Sequence, residues 1–158
     1  MKKQIKPYII SIAIALGVGA LSAFFTRNSM DIYSEVATPP LSPPAILFPL
    51  VWTLLYILMG ISAAMIYTSR FSSVPQRKRA LYTYAASLVV NFFWSIIFFN
   101  MRAFAFAFIW LLLLLYLIIK TIIEYKDIEP TAAYLQIPYA LWVAFAGYLN
   151  FCIWYLNR

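Results

Sequence analysis

Five apolar runs, separated by short polar or basic segments, set the pattern of this chain. They cover residues 7–26, 47–68, 80–100, 103–123 and 131–156, and the only charge inside them is Lys120, near the end of the fourth. Each run is close to the length of about 20 residues that crosses a bilayer's hydrocarbon core. Lipid offers no partner to an exposed backbone N–H or C=O, so every run is read as a helix. The pattern predicts an all-α integral membrane protein, a bundle of five transmembrane helices forming a single domain over residues 1–158. Lys2, Lys3 and Lys6 before the first run resemble the start of a signal peptide. That run exceeds the usual apolar core of about 7–15 residues, so it is read as a retained helix.

The connections differ in kind. Residues 27–46 form the longest one and carry Asp31, Tyr33 and Glu35, then Thr38-Pro-Pro-Leu-Ser-Pro-Pro. Prolines fix φ and remove donors, so this segment is expected to be a stiff, extended cover over the bundle. Long ordered loops in compact proteins are often binding elements, although a plain spacer fits the same residues. The turn at residues 100–102 is tight and makes the third and fourth helices antiparallel neighbours. Ala13, Ala15, Gly17, Gly19 and Ala23 give the first helix small residues suited to close helix packing. Pro138 is expected to kink the last helix.

Composition supports the membrane reading: 65% of residues are apolar, against roughly 45–50% in soluble domains. The net charge of +7 could suggest a nucleic-acid partner, but its distribution argues otherwise. With the N-terminus inside, nine of the twelve Lys and Arg lie on inner segments, and only Arg27, Arg102 and Arg158 lie outside. This is the positive-inside bias of a membrane protein, with N-terminus in and C-terminus out. Arg77-Lys78-Arg79 then faces anionic headgroups.

The chemistry available is narrow. The chain has no His and one Cys, Cys152. No metal site, disulfide or Ser-His-Asp triad follows from these residues, and no cofactor is expected. Apart from Lys120 near a helix end, intramembrane charges, the usual mark of ion and proton paths, are missing from the runs. Lack of an internal repeat weighs against an active carrier. What remains is aromatic and amide chemistry, with Phe, Trp and Tyr making up 19% of residues.

Trp154 fits an interfacial belt position, whereas Trp142 lies in mid-span. Tyr139, Trp142, Phe145 and Ala146 share one helix face. Asn91 and Asn150 are amides that need partners, and interhelical bonding is the simplest account of them. Helix directions place Trp52, Asn91, Trp94, Phe106 and residues 146–150 at similar depth, below the proline-rich loop.

At these residues the chain resembles the TspO/MBR family of tryptophan-rich sensory and translocator proteins. The matching stretches are Pro43-Pro44 with Pro49-Leu50-Val51-Trp52-Thr53-Leu54-Leu55-Tyr56, and Asn91-Phe92-Phe93-Trp94. The third is Pro138-Tyr139-Ala140-Leu141-Trp142-Val143-Ala144-Phe145-Ala146, followed by Leu149-Asn150, Trp154 and Asn157. The resemblance, to a bacterial-type member, spans essentially the whole chain. It implies a bundle, commonly homodimeric, in a bacterial cytoplasmic membrane, binding porphyrins or related apolar molecules beneath the first loop. Carried over by position, it implicates Ala23, Thr26, Tyr33, Pro44, Phe48, Pro49, Val51, Trp52, Asn91, Trp94, Trp142, Ala146 and Leu149. Phe106 stands where relatives use a Trp, and Phe145 joins the set from its shared face with Trp142. Leu41-Ser42 replaces the Trp-His of animal relatives, and cholesterol, which those relatives bind, is disfavoured as the ligand here.

Three functions follow in order. The first is a membrane binding protein for protoporphyrin-type ligands. The second is light- and oxygen-dependent degradation of the bound porphyrin, with Trp52 and Trp142 as the implicated catalytic residues. The third is transport of porphyrin or lipid. For the topology, a reporter fused after Arg158 is expected to be active outside the cytoplasm; activity confined to the cytoplasm reverses the orientation.

Overall fold

A computed structural model of the chain describes residues 2–29 and 31–158, with side chains from Ile5 onward apart from those of Met30 and Tyr33. The five long helices are α1 (Lys2–Thr26), α3 (Leu47–Tyr67), α4 (Val74–Ser95), α5 (Phe104–Lys126) and α6 (Pro130–Leu156), and α2 is a single turn at Ile32–Glu35. A 3-10 turn covers Arg27–Ser29, and a π-helical turn, Ile96–Asn100, prolongs α4. No strand occurs among the described residues. All five long helices have the length and apolar composition to cross a membrane, as the hydrophobic pattern predicts.

The helices extend past the runs that reveal them. The second helical hairpin shows why: α4 begins at Val74, and Ser73 caps it by accepting from the Gln76 N–H at 3.3 Å. Capping chemistry sets a helix end, whereas hydropathy marks only the part in hydrocarbon. The basic run Arg77-Lys78-Arg79 is therefore helical, and Arg77 donates to the carbonyls of Ser69 and Ser72. Residues 131–156 stay helical through Pro138, with no interruption at that residue.

Neighbouring helices run α1–α3–α6–α5–α4 and back to α1, so the bundle closes on itself. Its interior holds Met59, Phe98, Leu114, Ile118, Tyr139, Leu149 and Ile153, while Ile9, Leu54, Ile109 and Leu141 point outward. Outward apolar side chains suit hydrocarbon and would be a liability in water.

Small residues let α1 lie close to α3. Ala15, Ser22 and Thr26 are buried on one face of α1, at the spacing of a helical stripe. A methyl group added at Gly60 would lie 2.5 Å from the Ile12 Cα, and one at Gly19 would strike the Tyr56 ring. Gly17 has open space around it, so it takes no part in this contact. Gly60→Ala should therefore push two backbones apart and cost about 1–3 kcal/mol. Thermal denaturation in detergent is expected to show a lower midpoint for Gly60→Ala and an unchanged or higher one for Gly17→Ala. Equal midpoints for Gly60→Ala and the parent would remove this crossing from the fold.

Candidate functional site

The C-terminal ends of α1, α4 and α6 meet the N-terminal ends of α3 and α5 at one end of the bundle, which residues 27–46 cover. The cover is not extended throughout, as the proline content suggests. Its first part turns helically, because Ser34 bonds back to the Asp31 carbonyl through both its N–H (3.0 Å) and its hydroxyl (2.7 Å). Ile32 is completely buried and anchors that turn. Only the stretch after Glu35 runs without helix, through the prolines. Within it Leu41 sits at φ 71°, a left-handed conformation that costs a branched side chain of order 1–3 kcal/mol.

Three fastenings hold this cover down. The Ala37 N–H donates to Asn157 Oδ1 at 2.9 Å, and Asn157 Nδ2 donates to the Ala37 carbonyl at 2.9 Å. One side-chain amide thus pairs with the main chain of Ala37 as a neighbouring strand would. The Tyr148 hydroxyl donates to the Pro40 carbonyl at 3.0 Å. Arg102, in the α4–α5 turn, forms an ion pair with Glu35. Both partners of that pair are about half exposed, so it adds at most about 1 kcal/mol. Asn100 joins the same end to α1 by donating to the Phe25 carbonyl at 2.9 Å.

Beneath the cover, aromatic rings cross from α3 to α6. Phe48 meets Trp142 edge-on with centroids 5.8 Å apart. Trp142 then contacts Phe145 at 5.6 Å, and Phe145 contacts Tyr148 at 6.1 Å. The row therefore runs from α3 to one of the residues that fasten the loop. Deeper, Trp52 lies 5.6 Å from Tyr56 and 6.3 Å from Tyr139. Such pairs each add about 0.5–1.5 kcal/mol beyond area burial.

The amides divide the interior. Asn91 Nδ2 donates to the Tyr56 hydroxyl at 2.9 Å, joining α4 to α3. Asn150 accepts from Trp94 Nε1 at 3.1 Å and donates to the Phe104 carbonyl at 2.9 Å, so one side chain joins α4, α5 and α6. Trp94 also stacks on Phe98 at 5.1 Å. The indole N–H of Trp142 is different. It is buried and has no hydrogen-bond partner among the described residues, where a buried indole usually finds one.

The remaining positions named from sequence are spread around this end. Thr26 is buried, its hydroxyl donating to the Ser22 carbonyl at 2.8 Å. Ala146 and Leu149 are buried, Val51 is half-buried, and Ala23, Pro44 and Pro49 are exposed. Phe106 is half exposed and leans on Trp110, whose Nε1 donates to the Val90 carbonyl. Tyr33 lies in α2, and its side chain is outside the described residues. The structure thus brings Phe48, Trp142 and Phe145 together in one row, and groups Trp52 with Tyr56 and Tyr139, where Asn91 is tied in through Tyr56. It sets Phe106 against Trp110 instead. Among the described residues no cluster of three or more His, Cys, Asp or Glu could hold a metal.

The sequence reading does not single out the fastenings. Glu35 and Arg102 are a weak clue, being opposite charges on two segments that face the same side. Asn157, an amide just past an apolar run, is another.

Comparison with known proteins covers nearly the whole chain. Residues 11–156 match the profile of the TspO/MBR family. The tryptophan-rich protein TspO of Chlorobaculum tepidum is 33% identical over 158 residues, 99% of this chain and 99% of that protein. The tryptophan-rich protein TspO of Archaeoglobus fulgidus is 35% identical over 150 residues, 94% and 95% of the two chains. The translocator protein of Bos taurus is 33% identical over 141 residues, 89% and 83% of the two.

Asn157→Ala removes two hydrogen bonds to the cover, each worth about 0.5–1.5 kcal/mol. Amide exchange in residues 36–46 is expected to speed up roughly tenfold in that variant, and much less in Glu35→Gln. If Asn157→Ala exchanges like the parent, the amide does not hold the cover.

Proposed function

The chain belongs to the TspO/MBR family, and we propose that it is a membrane receptor for porphyrins of the protoporphyrin IX type and similar flat apolar ligands. The single observation that carries this reading is the Trp142 indole, buried without a partner in an aromatic row under a fastened loop. A flat ring entering between α3 and α6 meets aromatic faces from Phe48 and Trp52 on one side and Trp142 and Phe145 on the other. The free indole N–H supplies orientation, and a polar group on the ligand relieves its unsatisfied burial.

Ala23, Thr26, Tyr33, Pro44, Pro49, Val51, Asn91, Trp94, Phe106, Ala146 and Leu149 complete the proposed surroundings. Ligand carboxylates would lie toward the loop. Arg27, Arg102 and Arg158 are cations at that end; Arg27 stands 4.0 Å from the Phe24 ring centroid, Arg158 4.4 Å from that of Tyr155, and Arg102 already pairs with Glu35. Entry requires the rings of α3 and α6 to part, or the cover to release. In this reading the protein works as a homodimer in a bacterial cytoplasmic membrane, with its N-terminus inside.

A second reading is light- and oxygen-dependent degradation of the bound porphyrin. The observation favouring it is the contact of Trp52 with Tyr56 and Tyr139, which groups oxidisable rings beside the proposed site. Soret-band titration with protoporphyrin IX tests both readings. Trp142→Ala is expected to weaken binding at least tenfold, and Trp142→Phe less, since it keeps a ring and loses only the donor. Equal affinity in Trp142→Ala and the parent overturns the site. Product formation under light that is unchanged in Trp52→Phe/Trp142→Phe, against a dark control, rejects the second reading.

A further inference from the structure

At the end of the bundle opposite the loop, hydrogen bonds tie α3 to α6 and α4 to α5. There α1, α3 and α4 enclose a cleft of about 630 Å³, within the roughly 300–1,000 Å³ typical of small-molecule sites. Near the loop, α1 is joined to α4 and to the turn that prolongs it. Asn100 bonds to the Phe25 carbonyl there, and Phe25 meets Phe92 edge-on at 5.9 Å. Toward the other end α1 lies against α3, close at Gly60. Ala63, Ala64 and Ala85 then leave the space between them unfilled.

The cleft has an apolar body and a polar, cationic mouth. Ile10, Ile14, Leu81 and Leu88 form its walls. Lys6 and Tyr67 line it at the end of the bundle and are both exposed. Lys78 is one helical turn before Leu81 on the same face of α4, and its side chain is exposed. Tyr84 belongs to the wall, is 6% exposed, and its hydroxyl has no hydrogen-bond partner among the described residues. The slot is mainly apolar, with Lys6 in its lining and Lys78 one helical turn from Leu81. It matches a chain with a negatively charged head.

We propose that this cleft holds an acyl chain of an anionic glycerophospholipid, with the phosphate headgroup at Lys6 and Lys78. The site is separate from the proposed porphyrin site, at the other end of α3 and α4. Tyr84 offers a donor to an ester oxygen in the slot. The occupant fills the cleft between α1, α3 and α4, so it also supports the packing of α1.

The test is native mass spectrometry of the full-length protein in detergent, titrated with dioleoylphosphatidylglycerol or dioleoylphosphatidylcholine. The parent is expected to retain the anionic lipid at roughly twentyfold lower concentration than the zwitterionic one. Lys6→Gln/Lys78→Gln should abolish most of that preference, about fivefold for each cation near the headgroup. Ala85→Trp, which fills the slot, should weaken both lipids while leaving protoporphyrin titration unchanged. Equal retention of the two lipids by the parent overturns the proposal, as does a preference that survives the double lysine substitution. If Ala85→Trp does not fold, the lysine comparison decides alone.

Discussion

A polar group that enters hydrocarbon has to bring its partner with it, and most of this bundle's internal order follows from that constraint. Backbone groups meet it by forming helices. Side chains meet it only in particular helix rotations. Asn150 reaches both Trp94 and the Phe104 carbonyl, which sets α4, α5 and α6 around one amide. At the other end Ser62 donates to the Ala132 carbonyl, and Gln136 donates to Ser62. These bonds fix the facing sides of α3 and α6, where apolar packing alone would allow sliding, since lipid is as apolar as the interior. Against that background the Trp142 indole N–H, like the Tyr84 and Tyr125 hydroxyls, is buried with no hydrogen-bond partner among the described residues.

The two ends of the bundle are built differently, and the difference bears on function. At the loop end, fastenings from α6 and from the α4–α5 turn converge on one short segment, and Asn100 binds α1 to the same place. The aromatic row below this cover is half-buried at Phe48, Trp142 and Phe145 and exposed at Tyr148. The cover's strongest attachment is the Asn157 amide, because two bonds to one residue also fix orientation, whereas an exposed ion pair is screened by solvent. At the opposite end hydrogen bonds join α3 to α6 and α4 to α5, and a cleft lies between α1, α3 and α4. One end thus suits a captured ligand and the other suits lipid.

Much of the fold was legible because hydrophobicity in a membrane protein is a one-dimensional signal. A run of about 20 apolar residues has few other places to go. Helix ends were less legible: Val74 begins α4 because of the Ser73 cap, six residues before the apolar run. The helical turn at Ile32–Glu35 was hidden behind the prolines that follow it. In the candidate site, the mid-span Trp142, its face-mates Tyr139 and Phe145, and the two bridging amides could be picked out from sequence. The partners of those amides could not, because Tyr56 and the Phe104 carbonyl lie on other helices. Phe106 illustrates the limit, since correct depth along a helix says nothing about direction, and the ring leans on Trp110.

By itself, then, the sequence determined the class of the protein, the number and order of its spans, the TspO/MBR membership and the aromatic, metal-poor chemistry of the interior. These properties depend on which residues are present and how far apart they stand along one chain. Only the tertiary structure decided which rings meet, that Asn157 and Tyr148 hold the cover, that the Trp142 N–H is left without a partner, and that a cleft opens beside Lys6. Each of these depends on the rotation and splay of separate helices. That information lies in contacts between residues far apart in sequence, where periodicity along a single helix carries no signal.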